Sequence, residues 1–403
     1  MHRSCLVARA VTLLCLACLP TAFCAAQSNQ PPDLSKAIAQ FSVADDEQQD
    51  AGARQLLAAG EAAMPSLQEL ADKTANPDLE QRCELLLQQI AADHFPKPTL
   101  VSLNLHKVPP AQAYEALFQQ AHGRFKTWPE NSWPAEKRVT IDADRAPFWE
   151  VLTDLNRQSE LKLDHVGGGV ALARGDPGPK PGPILGSVKL VVDDELLTRG
   201  NGSLDFYVEP RIRVLGQPTV KIQSAIDSKR RDLDSRSEMH TSLGRGAMGG
   251  NVFSIEIQSG RYGPRGIQYL KGTLRFAACV RDKSVRFDNI MPEKQADMSV
   301  AGRRFVVLLK HPNKEQWVVI VNVHNTDPPI DGLEQTAAVL VDAQGNALEL
   351  VGSTSHWTSP QFDFAKTYQQ TPNVGPPARL DLRFPSKTRE IEIPFEIGSK
   401  SGK

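Results

Sequence analysis

The 403 residues predict a multidomain α+β protein: a short helical segment, a small mixed α/β domain, then a large all-β, sandwich-like domain. Apolar residues recur at helical spacing up to about residue 93, and a strand-then-helix pattern occurs twice, at 101–125 and 139–163. Beyond a Pro/Gly-rich stretch the alternation becomes that of strands.

The first 26 residues read as an export signal. Arg3 and Arg9 precede an apolar run at 11–19, followed by Pro20 and a small-residue stretch ending Cys24-Ala25-Ala26, with cleavage placed after Ala26. That run is short of the roughly 20 apolar residues of a membrane-spanning helix, and no later run reaches that length. The expectation is an exported chain without a transmembrane segment, periplasmic or secreted. Phe23 is too bulky for the residue before a lipidated Cys24, which disfavours lipidation.

Four of the six cysteines leave with the signal, so Cys83 and Cys279 alone enter an oxidising compartment. They fall in segments read as different domains, and two buried thiols are favoured over a bridge. Signal removal takes two of the 46 bases and none of the 47 acids, leaving a net charge of −3. Both signs are interspersed, and nucleic acid is set aside as a partner.

Residues 27–97 carry the helices, at 45–59, 61–73 and 77–93, with a short one at 33–41 before them. Pro77 follows Asn76 at the start of the last, whose stripe is Cys83, Leu86, Leu87 and Ile90. The wording Gly60-Glu61-Ala62-Ala63-Met64-Pro65-Ser66-Leu67, then Asn76-Pro77-Asp78-Leu79-Glu80-Gln81-Arg82, resembles a HEAT repeat, a resemblance that implies protein binding along stacked helix pairs. Only about one and a half units are present, fewer than the three or so a solenoid needs. The segment is therefore expected to cap the domain that follows it, with a docking surface as the alternative.

Residues 99–174 hold the duplicated pattern. Val101, Leu103, Leu105 and Val108 alternate with Leu100, Ser102, Asn104 and His106 as a half-buried strand. Pro110 opens a helix with the stripe Ala113, Tyr114, Leu117, Phe118 and Ala121. In the second copy 139–143 is the strand, Pro147 opens the helix, Phe148, Val151, Leu152 and Leu155 form its stripe, and Leu161-Lys162-Leu163 returns as a strand. Pro110 and Pro147, Tyr114 and Val151, and Phe118 and Leu155 give a repeat of 37. A last strand at 169–173 completes one sheet backed by two helices. This order, with Arg145-Ala146-Pro147-Phe148-Trp149-Glu150-Val151-Leu152 leading into Leu161-Lys162-Leu163, resembles the short N-terminal (STN) domain of secretins and TonB-dependent receptors. The resemblance implies protein contact, by way of exposed sheet edges that accept a partner strand.

Residues 175–186 are a Pro/Gly linker. From 187 to 398 strand follows strand with no amphipathic helix: 188–192, 204–208, 252–258, 271–280, 304–310, 316–324, 337–341, 347–351, 378–384 and 390–397. Residues 342–346 form a hairpin turn, Pro394 confines the last strand to an edge or bulge, and 399–403 is a tail. One unit is favoured over two with a seam at 289–301. The whole order resembles exported bacterial proteins to which no activity is assigned, which supplies an architecture and no reaction.

No chemistry-bearing constellation stands out. The run Gly244-Arg245-Gly246-Ala247-Met248-Gly249 matches G-x-G-x-x-G but opens no helix, so it reads as a loop within a mobile 228–251 stretch and no cofactor is expected. The nine histidines are dispersed without metal-ligand spacing, and no G-x-S-x-G elbow occurs. Glu209-Pro210-Arg211 is either a buried acid and base aimed at a ligand or a bend with an exposed ion pair. Trp128 and Trp133 either form a stacking platform for a sugar or seal a loop, and Trp357 shares that ambiguity. The leading expectation is a non-catalytic binding or scaffolding protein contacting another envelope protein. A carbohydrate-binding or adhesive sandwich is the alternative, and an enzyme with an inter-domain site comes third.

Overall fold

The computed structural model describes residues 34–398 apart from 44, 123–125, 130–131, 167–168, 176–181, 200, 233–238, 245–251, 260–265, 301, 314, 325–332 and 359–360. The expected export signal, residues 176–181 of the Pro/Gly linker, the glycine run beyond Gly244 and the 399–403 tail lie outside the described residues, and the end of the expected linker is a short strand, Ile184–Leu185.

Four helices come first: α1 (Ser35–Ser42), α2 (Asp46–Ala59), α3 (Met64–Lys73) and α4 (Pro77–His94). Asp45 caps α2 by accepting the Gln48 N–H, and Asn76 caps α4 by accepting that of Asp78. Gly60 ends α2 at φ 59°, a backbone angle that favours glycine, and a Cβ there would lie 2.4 Å from the His94 ring, which would have to turn aside. Phe41, Leu56, Leu67, Cys83, Leu87 and Ile90 share one buried core with Leu270, Phe276, Ile391 and Phe395 from the β region. The helices therefore cover the β region, where the sequence had placed them over the duplicated pattern. Helical periodicity marks which face is apolar but not which surface meets it.

The duplicated pattern becomes β1 (Leu100–Val108), α5 (Pro110–Gln120), β2 (Lys126–Trp128), β3 (Val139–Pro147), α6 (Phe148–Ser159), β4 (Leu161–Val166) and β5 (Gly169–Arg174). The expected single sheet is two: an antiparallel β1–β3 ladder and a three-stranded sheet in the order β2-β5-β4. Both copies nevertheless share one core, built on Val101, Leu103, Tyr114, Leu117, Val139, Ile141, Leu152 and Leu155.

The repeat is 38 residues, not 37. Pro109 and Pro147 are the two helix N-caps, Lys107 and Arg145 both sit near φ 50°, and His122 and Glu160 follow the two helices at φ 50° and 55°. The prolines misled because Pro110 lies one place inside its helix while Pro147 stands at the cap. In the ladder Leu103 faces Ala143 and Leu105 faces Ile141, with Asn104 opposite Asp142 between them. Adding 38 to one strand and subtracting it from the other exchanges the two outer pairs, so an approximate twofold axis passes through Asn104 and Asp142.

The β region comprises β6 (Ile184–Leu185), β7 (Val188–Val192), a short helix α7 (Asp194–Arg199), β8 (Asn201–Val208), β9 (Val214–Asp227), β10 (Met239–Gly244), β11 (Val252–Ser259), β12 (Ile267–Asp288), β13 (Gln295–Val300), β14 (Arg303–Asn313), β15 (Gln316–His324), β16 (Ala337–Asp342), β17 (Glu349–Thr358), β18 (Gln361–Gln369) and β19 (Pro377–Gly398). Its three sheets run β10-β11-β8-β7-β6, β16-β19-β12-β9 and β13-β14-β15-β18-β17, antiparallel throughout.

Two departures from the sequence reading concern continuity. Helix α7 interrupts a stretch expected to be all strand, and the strands expected at 378–384 and 390–397 are one, β19. Pro385, opposite Asp282, falls where the β12–β19 register shifts, and such an irregularity tolerates a residue with no N–H. Pro394 pairs with β12 on one side only, because β16 reaches β19 only over Pro377–Arg383.

Strands β12 and β19 serve two cores. Leu270, Leu274, Ile391 and Ile393 belong to the core under the helices, whereas Val285, Phe287, Leu380 and Leu382 join Phe305, Val319, Leu340 and Phe364 in a second one. The cores divide inside these strands, at the bulge around Arg281, and not at 289–301. Arg281, 1% exposed, turns to the helices and meets Asp72 at 2.7 Å, Glu80 at 3.0 Å and Glu84 at 2.6 Å. Its neighbour Asp282 accepts instead from Arg213 and Arg383, at 2.7 and 2.8 Å. Cys83 and Cys279 are free thiols, which burial pushes up to about 11 and about 12.

Candidate functional site

Glu209 and Arg211 follow β8 in a turn that meets the end of α4 and the start of β1. Glu209 is fully buried. Its carboxylate accepts from the Thr99 N–H at 3.0 Å, the Thr99 hydroxyl at 2.6 Å and Arg211 Nε at 2.7 Å. The rest of the Arg211 guanidinium donates to Glu61 Oε1 and to the carbonyls of Lys97, at 2.6 Å, and His94, at 3.4 Å. Two further bonds tighten the same joint: Ser187 N–H to the Pro96 carbonyl, and Trp149 Nε1–H to the Ser187 carbonyl. Burial pushes the Glu209 carboxyl up to about 7, against the Thr99 donors, and pushes Arg211 down to about 10.

The triplet is thus a buried pair, yet both charges are directed at the protein itself. Residues 96–99, which connect the helices to the duplicated domain, are held by it to the β region. Beside it lies a cleft of about 440 Å³ lined by Glu61, His94, Lys97, Leu100, His122 and Arg211 among others. Every nitrogen of the Arg211 side chain already has an oxygen partner within the protein, so the guanidinium is held to the joint and not aimed at the cleft as a free group.

Trp133 is not among the residues lining that cleft. Trp133 is half-buried, its ring centroid 5.3 Å from that of Tyr114, in the arrangement expected of a side chain sealing its loop. Trp128 lies on β2 opposite Ala173, and Trp357 lies on β17 opposite Phe362; both side chains fall outside the described residues. Among the described residues no group of three or more His, Cys, Asp or Glu side chains could hold a metal ion, and no helix is long and apolar enough to cross a membrane.

Sequence reasoning missed three features. One is the Arg281 network, whose only signal is a charged Arg281-Asp282-Lys283 run inside an apolar strand. Another is a matched pair of side-chain clamps. Gln120 accepts the Ser102 N–H and donates to the Ser102 carbonyl, and Gln158 treats Thr140 identically. Across the ladder, Arg145 N–H donates to the Ser102 hydroxyl and Lys107 N–H to the Thr140 hydroxyl. Each amide takes the place a neighbouring strand would occupy.

The third is β17. Among the described residues it ends its sheet, paired with β18 alone. Glu349–Val351 and Ser353–His356 are exposed on both faces, with Leu350 and Val351 at 48% and 50%.

No family model matches this sequence, and no curated protein matches it. Among solved structures the chain is similar to that titled "The crystal structure of the conserved domain protein from Bacillus anthracis". That similarity has 8% identity, covers 54% of this chain and 88% of the other, and has a TM-score of 0.19, too remote to argue from.

Proposed function

We propose that this chain is an exported, non-catalytic binding or scaffolding protein of the cell envelope, contacting other proteins through its duplicated domain and its β region. The observation that carries this reading is the open edge of β17. Outer strands expose unpaired N–H and C=O groups and are commonly guarded by lysine, proline, bulges or covering side chains. Strands β1 and β3 are guarded by Gln120 and Gln158. Strand β17 has one bulge, at Val351, and beyond it Ser353–Thr358 contains no lysine, arginine, acid or proline. An extended segment of a partner protein would add there as a sixth strand. The resemblance of 99–174 to STN domains implies protein contact as well, although on the β1–β3 ladder the outward groups of Ser102 and Thr140 are already taken by Gln120 and Gln158.

The test is a photo-crosslinking residue at Thr354 in intact cells. Discrete protein adducts are expected, and they should disappear when Ser353→Lys and Ser355→Lys are added. Adducts that survive both lysines, or no adduct at all, would remove the reading.

A further inference from the structure

A second cleft, about 390 Å³, opens where the first turns of α4 face β12, β14 and β19. Glu80 and Glu84 line it from the helix, and Lys283, Arg303 and Lys387 line it from the strands. The charges lining it form one network with Arg281 and Asp72 beside it. Glu80 takes Lys283 at 2.7 Å and Arg281 at 3.0 Å; Glu84 takes Arg281 at 2.6 Å and Lys387 at 2.8 Å; Asp72 takes Arg281 at 2.7 Å. Four cations therefore face three carboxylates, and the one left over is Arg303. No described carboxylate lies within ion-pair distance of its guanidinium, and its Nε is buried without an acceptor. Burial alone holds its pKa below the ordinary arginine value, with no opposing charge. A partly desolvated, unpaired guanidinium weakens a fold, and when the neighbouring cations are all paired it asks for a counter-ion.

We propose that this cleft binds a ligand through one carboxylate group, received by Arg303 with Lys283 and Lys387 flanking it. A guanidinium matches a carboxylate with parallel hydrogen bonds that an ammonium cannot reproduce. A single negative charge completes the balance, whereas a phosphate dianion would bring a second charge up to Glu80 and Glu84. The carboxylate belongs either to a small organic acid or to the C-terminus of a peptide.

The full chain should be titrated at fixed ionic strength with N-acetylglycine, its neutral amide, inorganic phosphate, and a short acetylated peptide with a free C-terminus, following heat release. Saturable binding of N-acetylglycine is expected, with no binding of the amide and phosphate no tighter. Arg303→Gln should weaken binding at least tenfold, and Arg303→Lys should fall between it and the wild type. Arg303→Gln removes an unpaired charge, so its thermal midpoint should hold or rise. A peptide binding tighter than N-acetylglycine supports a chain terminus as the ligand; equal binding supports a small acid. Equal affinity in Arg303→Gln and wild type, equal binding of the amide, phosphate at least tenfold tighter, or no saturable binding would each overturn the proposal.

Discussion

Gln120 and Gln158, 38 residues apart, hold Ser102 and Thr140 with the same two hydrogen bonds, at 2.8 to 2.9 Å. Since each amide satisfies one outward backbone N–H and C=O, Gln120→Ala and Gln158→Ala should each cost about 1 kcal/mol, read from urea unfolding. The two sites clamp different strands and share no partner, so the double variant should lose close to the sum. It should also associate more readily in size-exclusion chromatography, because both ladder edges are then open. Unchanged stability and size in the double variant would refute the clamp role.

Glu209→Ala leaves Arg211 buried beside an empty site and deprives Thr99 of its acceptor. Arg211 keeps Glu61, so a loss of about 2 kcal/mol is expected, from Thr99 and Arg211 Nε left without their buried acceptor. Glu209→Gln retains an acceptor for Thr99 and should lose less. Equal losses in the two variants would show that charge, not hydrogen bonding, dominates the joint.

Arg281→Met removes the cation shared by Asp72, Glu80 and Glu84, leaving three carboxylates with two lysines. The expected loss is about 3 kcal/mol. Proteolysis should then cut first among the helices, before the β region, because Arg281 ties the two together. A variant as resistant as the wild type would contradict this.

Lys189 is 7% exposed and donates to the Thr153 hydroxyl at 2.9 Å, and burial pushes its pKa from 10.5 down to about 8. A base depressed in the fold penalises the native state wherever the unfolded chain is protonated, so stability falls as pH drops from about 10.5 to about 8. Lys189→Met should therefore stabilise the protein by about 2 kcal/mol at pH 7. That gain should shrink towards pH 10.5, as followed by urea unfolding at several pH values. A gain independent of pH would point to packing alone.

Local elements were legible in the sequence because they rest on periodicity and caps: Asn76-Pro77 at α4, the stripe from Cys83 to Ile90, and the alternation of β1 and β15 all recur in the structure. What the sequence withheld is non-local. Pro385 reads as a break, yet it is absorbed by a bulge that depends on β12, about a hundred residues earlier. Glu209 reads as an ordinary bend because Thr99 and Glu61, which make it a joint, lie 110 and 148 positions away. The 38-residue repeat was nearly readable from the two Pro-initiated helices. Its true spacing emerged only from matching backbone angles and from the glutamine pair.

The two 22-residue strands also constrain the order in which the molecule can be made. Phe41 and Leu56 share their core with Ile391 and Phe395, more than 330 positions downstream. The helices must wait, with their apolar faces unsatisfied, until β19 has been made. Contacts of such long range make for slow assembly. No cut in the 289–301 stretch could yield two self-sufficient fragments, because the upstream piece would lack β19 and the downstream piece would lack β12.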